Sequence, residues 1–203
     1  MVRSTSTRAP RMSASARREQ LLDVTARLIG QRGFHSLSVE AIASAAGVTR
    51  ATVYQHFADL DDLLNAVVER ETERALAEVS ETTLEDLTHG DPVELMLESL
   101  RAYLHIVQAH PATWRLILTP PEGAPESLHR RIAGGKAQVL ERLTDAVRPA
   151  LALDRESPDA ELTARLLSTI SDEYARLVLA DPKRYPPERL LRHARWYLEK
   201  GTK

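Results

Sequence analysis

From Ser38 to Phe57 the chain reads SVEAIASAAGVTRATVYQHF, and the side chains able to read or hold a polyanion gather in its second half. An arginine can hold guanine through two acceptors and a glutamine can hold adenine in the same bidentate way, so Arg50 and Gln55 are suited to base edges, with Thr52 between them. Thr49 and Thr52 offer hydroxyls and methyls to phosphate or thymine, and Tyr54 and His56 suit the clamping of phosphate. Such chemistry works only if these residues share an outward face at the start of a helix that fits a major groove.

The spacing supplies that helix. Ser38 is a good N-cap for a short helix carrying Ile42, Ala43 and Ala46, and Gly47 ends it by accepting a left-handed backbone that side chains resist. Thr49 caps the next helix, expected over Arg50 to Phe57, and the turn of about three residues between the two is that of a helix-turn-helix. Ile42, Val53 and Phe57 are read as core. Before this unit, Leu21, Leu22, Thr25, Leu28 and Ile29 recur at three- and four-residue intervals up to Gly33, a helix C-terminal glycine. After it, Asp59 caps a fourth helix with Leu60, Leu63, Leu64, Val67 and Val68 on one stripe, expected to run to about Val79 and to join two parts of the molecule.

The body that follows is helical by the same criterion. Val93 to Val107, Trp114 to Leu118, Ile132 to Val147, Leu162 to Val178 and Leu190 to Leu198 each carry helical apolar spacing, separated by polar or proline-rich breaks at residues 82–92 and 119–125. Gly134 and Gly135 allow a bend in the third of these. Tyr103, Trp114, Ser171 and Tyr174 put polar or amphipathic groups on apolar stripes, the way an orienting group enters an apolar ligand cavity, although aromatic residues on such a stripe also serve as plain core. His105 and Gln108 fall on the opposite face, with Glu94, Glu98 and Arg101. His105, His110, His129 and the adjacent pair Asp172–Glu173 are scattered donors, Asp172 and Glu173 facing different ways. No glycine-framed nucleophile or phosphate-cradling loop occurs, so no metal, cofactor or catalysis is expected.

Composition agrees with an all-α protein. Among 203 residues, nine are aromatic and none is cysteine, while Ala, Leu, Arg and Glu abound and β-branched alternation is scarce. The absence of cysteine removes disulfides and thiolate metal sites and fits a reducing compartment. No apolar run reaches the roughly 18 residues of a membrane span, and the N-terminus lacks a secretory apolar stretch, so a cytoplasmic protein with no membrane partner is expected. The net charge of −2 hides an asymmetry: residues 1–58 hold eight basic and three acidic groups, net +5, and the remainder 19 basic against 26 acidic, net −7. A basic N-terminal portion on an acidic body presents a local surface to a polyanion.

These residues resemble a known family. Gly33-Phe34, Ser38, Ile42-Ala43, Ala46-Gly47-Val48-Thr49, Tyr54-Gln55-His56-Phe57 and Leu63-Leu64 are similar to the DNA-binding signature of TetR-family transcriptional regulators, over roughly residues 17–64. The resemblance implies a three-helix DNA-binding domain on a helical core that binds a small molecule and dimerises through its last two long helices. One position departs: members often carry a phosphate-contacting lysine just after Tyr-x-His-Phe, where this chain has Leu60 flanked by Asp59, Asp61 and Asp62. Arg50 and the basic arm, with Arg3, Arg8 and Arg11, are expected to contribute that charge.

The expectation is thus a flexible arm at 1–12, a helix-turn-helix domain at 13–58 and a helical effector-binding and dimerisation domain at 59–203. Ser38, Thr49, Arg50, Ala51, Thr52, Tyr54, Gln55 and His56 face DNA, and Tyr103, Trp114, Ser171 and Tyr174 face a ligand. The function expected is that of a homodimeric repressor released from a palindromic operator by a small-molecule effector. The alternative is a helical protein-interaction module with no specific DNA site.

Overall fold

The computed structural model describes residues 12–83, 90–151 and 159–201; the arm with Arg3, Arg8 and Arg11, and most of the break at 82–92, lie outside these. Helices are the regular elements of the described residues: α1 (Ala14–Arg32), α2 (Val39–Ala46), α3 (Arg50–Tyr54), α4 (Leu60–Thr82), α5 (Pro92–Ala109), α6 (Pro111–Leu118), α7 (Glu126–Leu151), α8 (Ala160–Ala180) and α9 (Pro187–Gly201), with a 3₁₀ turn at Phe34–Ser36.

Side-chain caps set the helix starts in the N-terminal third. The Ser38 hydroxyl accepts from the Ala41 amide at 3.1 Å, the Thr49 hydroxyl from Thr52 at 3.3 Å, and the Asp59 carboxylate from Asp62 at 2.8 Å. Each satisfies an amide that the first helical turn leaves without a partner. Asp62 in turn accepts from the Ala58 amide at 2.9 Å, so two of the three aspartates beside Leu60 are occupied in starting α4. Gly47 closes α2 at φ 66°, ψ 35°, a left-handed conformation in which it costs least.

Two boundaries differ from the sequence reading. Helix α3 stops at Tyr54 and not Phe57, because the chain must turn extended at Asp59 (φ −154°) to begin α4. Helix α4 runs to Thr82, one turn past Val79. Helix α7 is, as expected, one long helix, and it runs through Gly134 and Gly135 without a break despite the weak helical preference of glycine.

Two main cores share α4. The first joins Leu21, Ile29, Ile42, Val53 and Phe57 to Leu63, Val67 and Val68 of the first half of α4, and takes in Leu116 of α6 and Leu128 of α7. The second holds Ala75 from the other half of α4, with Leu104, Val107 and Trp114, and Ala175 and Val178 of α8. Leu60 packs partly buried against the first core, which is what its apolar side chain does in place of a lysine.

The loop at 119–125 presses on the turn after α1. Gly123 has φ 76°, and a Cβ there would fall on the His35 ring. Gly123→Ala is therefore expected to cost about 1–2 kcal/mol in urea unfolding, from the positive φ and the displaced ring. Adding His35→Ala should recover the steric part alone; full recovery, or no loss in the single variant, would show that the backbone conformation is not under constraint.

Candidate nucleic-acid interface and effector cavity

Helix α3 turns Val53 and, just beyond its end, Phe57 inward, at 1% and 2% exposure, and this orients the rest of its surface. Arg50, Ala51, Tyr54 and Gln55 consequently lie exposed along one outward face, with Thr49 at its start; Thr52, His56 and Ser38 are half-buried beside it. The hydroxyls carry structural duties as well, since Ser38 and Thr49 cap α2 and α3, and the Thr49 and Thr52 oxygens are 3.0 Å apart.

Helix α1 braces this face from behind. The Gln20 amide donates to the Ala46 carbonyl at 3.2 Å, Arg18 donates to the His56 carbonyl at 3.4 Å, and the Arg18 guanidinium stacks over the Phe57 ring at 4.3 Å. Glu40 on α2, which the sequence reading did not single out, pairs with Arg50 at 2.9 Å. Both side chains are more than half exposed, so the pair contributes little to stability and acts chiefly on where the guanidinium points.

The second site is a largely apolar cavity of about 180 Å³ walled by α4 to α9. Tyr103, Trp114, Ser171 and Tyr174 all line it; His105 and Gln108 lie exposed. Tyr103 and Trp114 meet edge to face, 5.1 Å between ring centroids and 82° between planes. Burial first, and then the Asp172 charge, pushes the Tyr103 phenol well up, so it stays protonated and donates to Asp172 at 3.2 Å. The Trp114 indole donates to Glu78 at 2.9 Å, and His110 meets the other oxygen of that carboxylate at 2.6 Å. Tyr174 is hydrogen-bonded to His193 at 2.6 Å. The polar ends of all three aromatic residues are thus engaged by protein.

Between the two sites lies a buried charge. Glu71, midway along α4, is 1% exposed; one oxygen accepts from Arg70 at 2.9 and 2.5 Å and the other from the Thr113 hydroxyl of α6. Arg70 reaches on to Glu19 and Asp23 of α1 at 2.8 and 2.9 Å. The neighbouring residues Thr113 and Trp114 therefore serve the junction and the cavity wall respectively. Sequence reading missed Glu78, Lys136 and Asp172 as site residues because their partners lie tens of positions away, and Glu71 because what buries it, Thr113 of α6, is 42 positions distant although Arg70 is adjacent; a Glu inside an apolar stripe was the one local sign.

Among the described residues no cluster of three or more His, Asp or Glu is placed to hold a metal, and no helix is long and apolar enough to cross a membrane.

Comparison with known proteins agrees with this layout. Residues 21–67 match the family described as "Bacterial regulatory proteins, tetR family". An uncharacterized HTH-type transcriptional regulator of Mycobacterium tuberculosis is 33% identical over 147 residues, covering 69% of this chain and 68% of that one. Among solved structures, the SmeT–triclosan complex is 25% identical with a TM-score of 0.63, covering 88% of this chain and 90% of that one. A putative transcriptional regulator from Saccharomonospora viridis in complex with choline is 22% identical with a TM-score of 0.67, covering 91% and 96%. With a capped helix-turn-helix, an all-helical body and these relatives, the chain belongs to the TetR family of DNA-binding transcriptional regulators.

Proposed function

We propose that the protein is a homodimeric repressor that holds a palindromic operator and lets go when a small molecule fills the cavity. The observation that carries this reading is the outward face of Arg50, Ala51, Tyr54 and Gln55 on a helix braced by α1, linked through α4 and Glu71 to the wall of an apolar cavity. Ser38, Thr49, Thr52 and His56 complete the DNA-facing set, and Tyr103, Trp114, Ser171 and Tyr174 the ligand-facing one. Residues 13–58 form the DNA-binding part and 59–203 the effector-binding and dimerising part, with α4 serving both cores. The triclosan and choline complexes of the two structural neighbours support a small-molecule role for the cavity.

Dimerisation falls to α8 and α9, where Leu162, Leu166, Trp196 and Tyr197 stand 51–63% exposed. Apolar side chains grouped on two helices in this way mark a surface that another chain covers. In a two-fold dimer the paired recognition helices enter successive major grooves about 34–36 Å apart. A ligand with higher affinity for a state of different helix separation weakens DNA binding by the same factor that DNA weakens the ligand.

The test is selection of bound sequences from a random duplex pool, with the stoichiometry and a salt titration of the best binder. One dimer on a palindrome, with affinity falling steeply as salt rises, is the expected result. Failure to enrich any sequence, with protein that is folded and free of ligand, would overturn the reading.

A further inference from the structure

The charges around the cavity cancel. Three charged side chains line it, Arg131, Lys136 and Asp172, and each is matched: Arg131 to Glu69 at 3.0 Å, and Lys136 to Asp172 at 2.8 Å. Arg176 approaches Asp172 at 3.9 Å from the side but is committed to Glu173 and the Leu118 carbonyl. The remaining polar atoms of the α8 wall are hydroxyls. Ser168 and Ser171, both lining the cavity, make no side-chain hydrogen bond to protein among the described residues.

A charged guest meets this wall at a disadvantage. A carboxylate needs Lys136 or Arg131, already paired with Asp172 and Glu69, whose own charges repel the newcomer; an ammonium needs Asp172, already held by Lys136 and by the Tyr103 hydroxyl. Either guest must compete with a pair already made or leave its own charge unmatched in an apolar space; the pair is part-exposed, Lys136 at 49% and Asp172 at 20%, so the disadvantage comes chiefly from the apolar space. A neutral hydroxyl group has no such conflict, because it can donate to a free lone pair of Asp172 and accept from Ser171 or from a spare Lys136 proton.

We infer that the effector is a neutral lipophilic molecule carrying a hydroxyl group, an alcohol or a phenol, whose apolar part lies against Tyr103 and Trp114 and whose hydroxyl meets the Asp172–Lys136–Ser171 corner. This deepens the proposed effector role of the cavity and rests on it.

Three size-matched probes separate the classes: 1-octanol, octanoate and protonated n-octylamine, titrated calorimetrically into the full chain at neutral pH. Octanol should bind one per chain at least about tenfold more tightly than either ion. Two single substitutions then predict opposite reversals. Lys136→Met leaves Asp172 with no cation nearer than Arg176 at 3.9 Å, so octylammonium should overtake octanol; Asp172→Asn leaves Lys136 without its carboxylate partner, so octanoate should. The inference is overturned if the unaltered protein takes either ion as tightly as octanol, if it binds none of the three, or if neither substitution changes the order. Operator release, followed by fluorescence anisotropy of a labelled duplex, is read separately. Octanol binding without release would remove the regulatory reading and keep the ligand class, while intact operator binding with no octanol binding would do the reverse.

Discussion

Glu71→Ala is expected to lower the unfolding free energy by about 3–5 kcal/mol, the cost of removing one partner from a buried charged pair. The size follows from what the carboxylate holds. Its two oxygens take the Arg70 guanidinium and the Thr113 hydroxyl, and Arg74 stands 3.8 Å away. Without Glu71, Thr113 at 1% exposure loses its acceptor inside a packed interface, and Arg70 keeps only its exposed partners on α1. Thr113→Val should cost less, about 1–3 kcal/mol, since it strands one carboxylate oxygen but leaves the ion pair standing. Urea unfolding followed by far-ultraviolet circular dichroism measures both. A loss below about 1 kcal/mol for Glu71→Ala would show that water replaces the missing partner and that the junction is not a fixed point of the structure.

The second large effect is on DNA. Arg50→Ala should cost about 1–3 kcal/mol at each half-site, hence roughly 2–6 kcal/mol for a dimer, and should relax preference at one base pair. Tyr54→Phe, by contrast, removes a hydroxyl suited to phosphate and should weaken all sequences alike. Affinities for the selected operator and its single-base variants, at one salt concentration, separate the two. Uniform loss for both substitutions would mean that Arg50 contacts phosphate and that the base reading lies elsewhere on α3. Glu40→Gln is the informative companion: it removes the charge that pairs with the Arg50 guanidinium at 2.9 Å and should alter base preference while leaving stability within about 0.5 kcal/mol.

Much of the fold was legible because its signals are local. Ser38, Gly47, Thr49 and Asp59 act over two or three residues, and the structure finds each at the helix end that its chemistry suggests. Apolar periodicity likewise placed Ile42, Val53 and Phe57 inside. The cavity was half legible: Tyr103, Trp114, Ser171 and Tyr174 were identifiable as amphipathic interruptions, but not the wall chemistry that joins them. Asp172 illustrates why. Beside Glu173 it reads as one of two adjacent candidate donors facing different ways, and only the approach of Tyr103 and Lys136, 69 and 36 positions away, gives it a function distinct from its neighbour's. Leu162 and Leu166 raise the opposite difficulty. They continue the apolar stripe of α8, yet they lie exposed at 60% and 63%, because periodicity reports that a face is apolar and not what it packs against.

The sharing of α4 between two cores also sets a rule of phase. An unbroken helix advances about 100° per residue, so inserting or deleting one residue between Val68, which faces the first core, and Ala75, which faces the second, would swing the cavity out of line with the DNA-reading surface. Recombination of sensing and DNA-reading halves among such proteins is then an angular problem before it is a chemical one. Joins that conserve the residue count across this stretch keep both halves in register; a join that alters it yields two halves each able to pack only at the expense of the other.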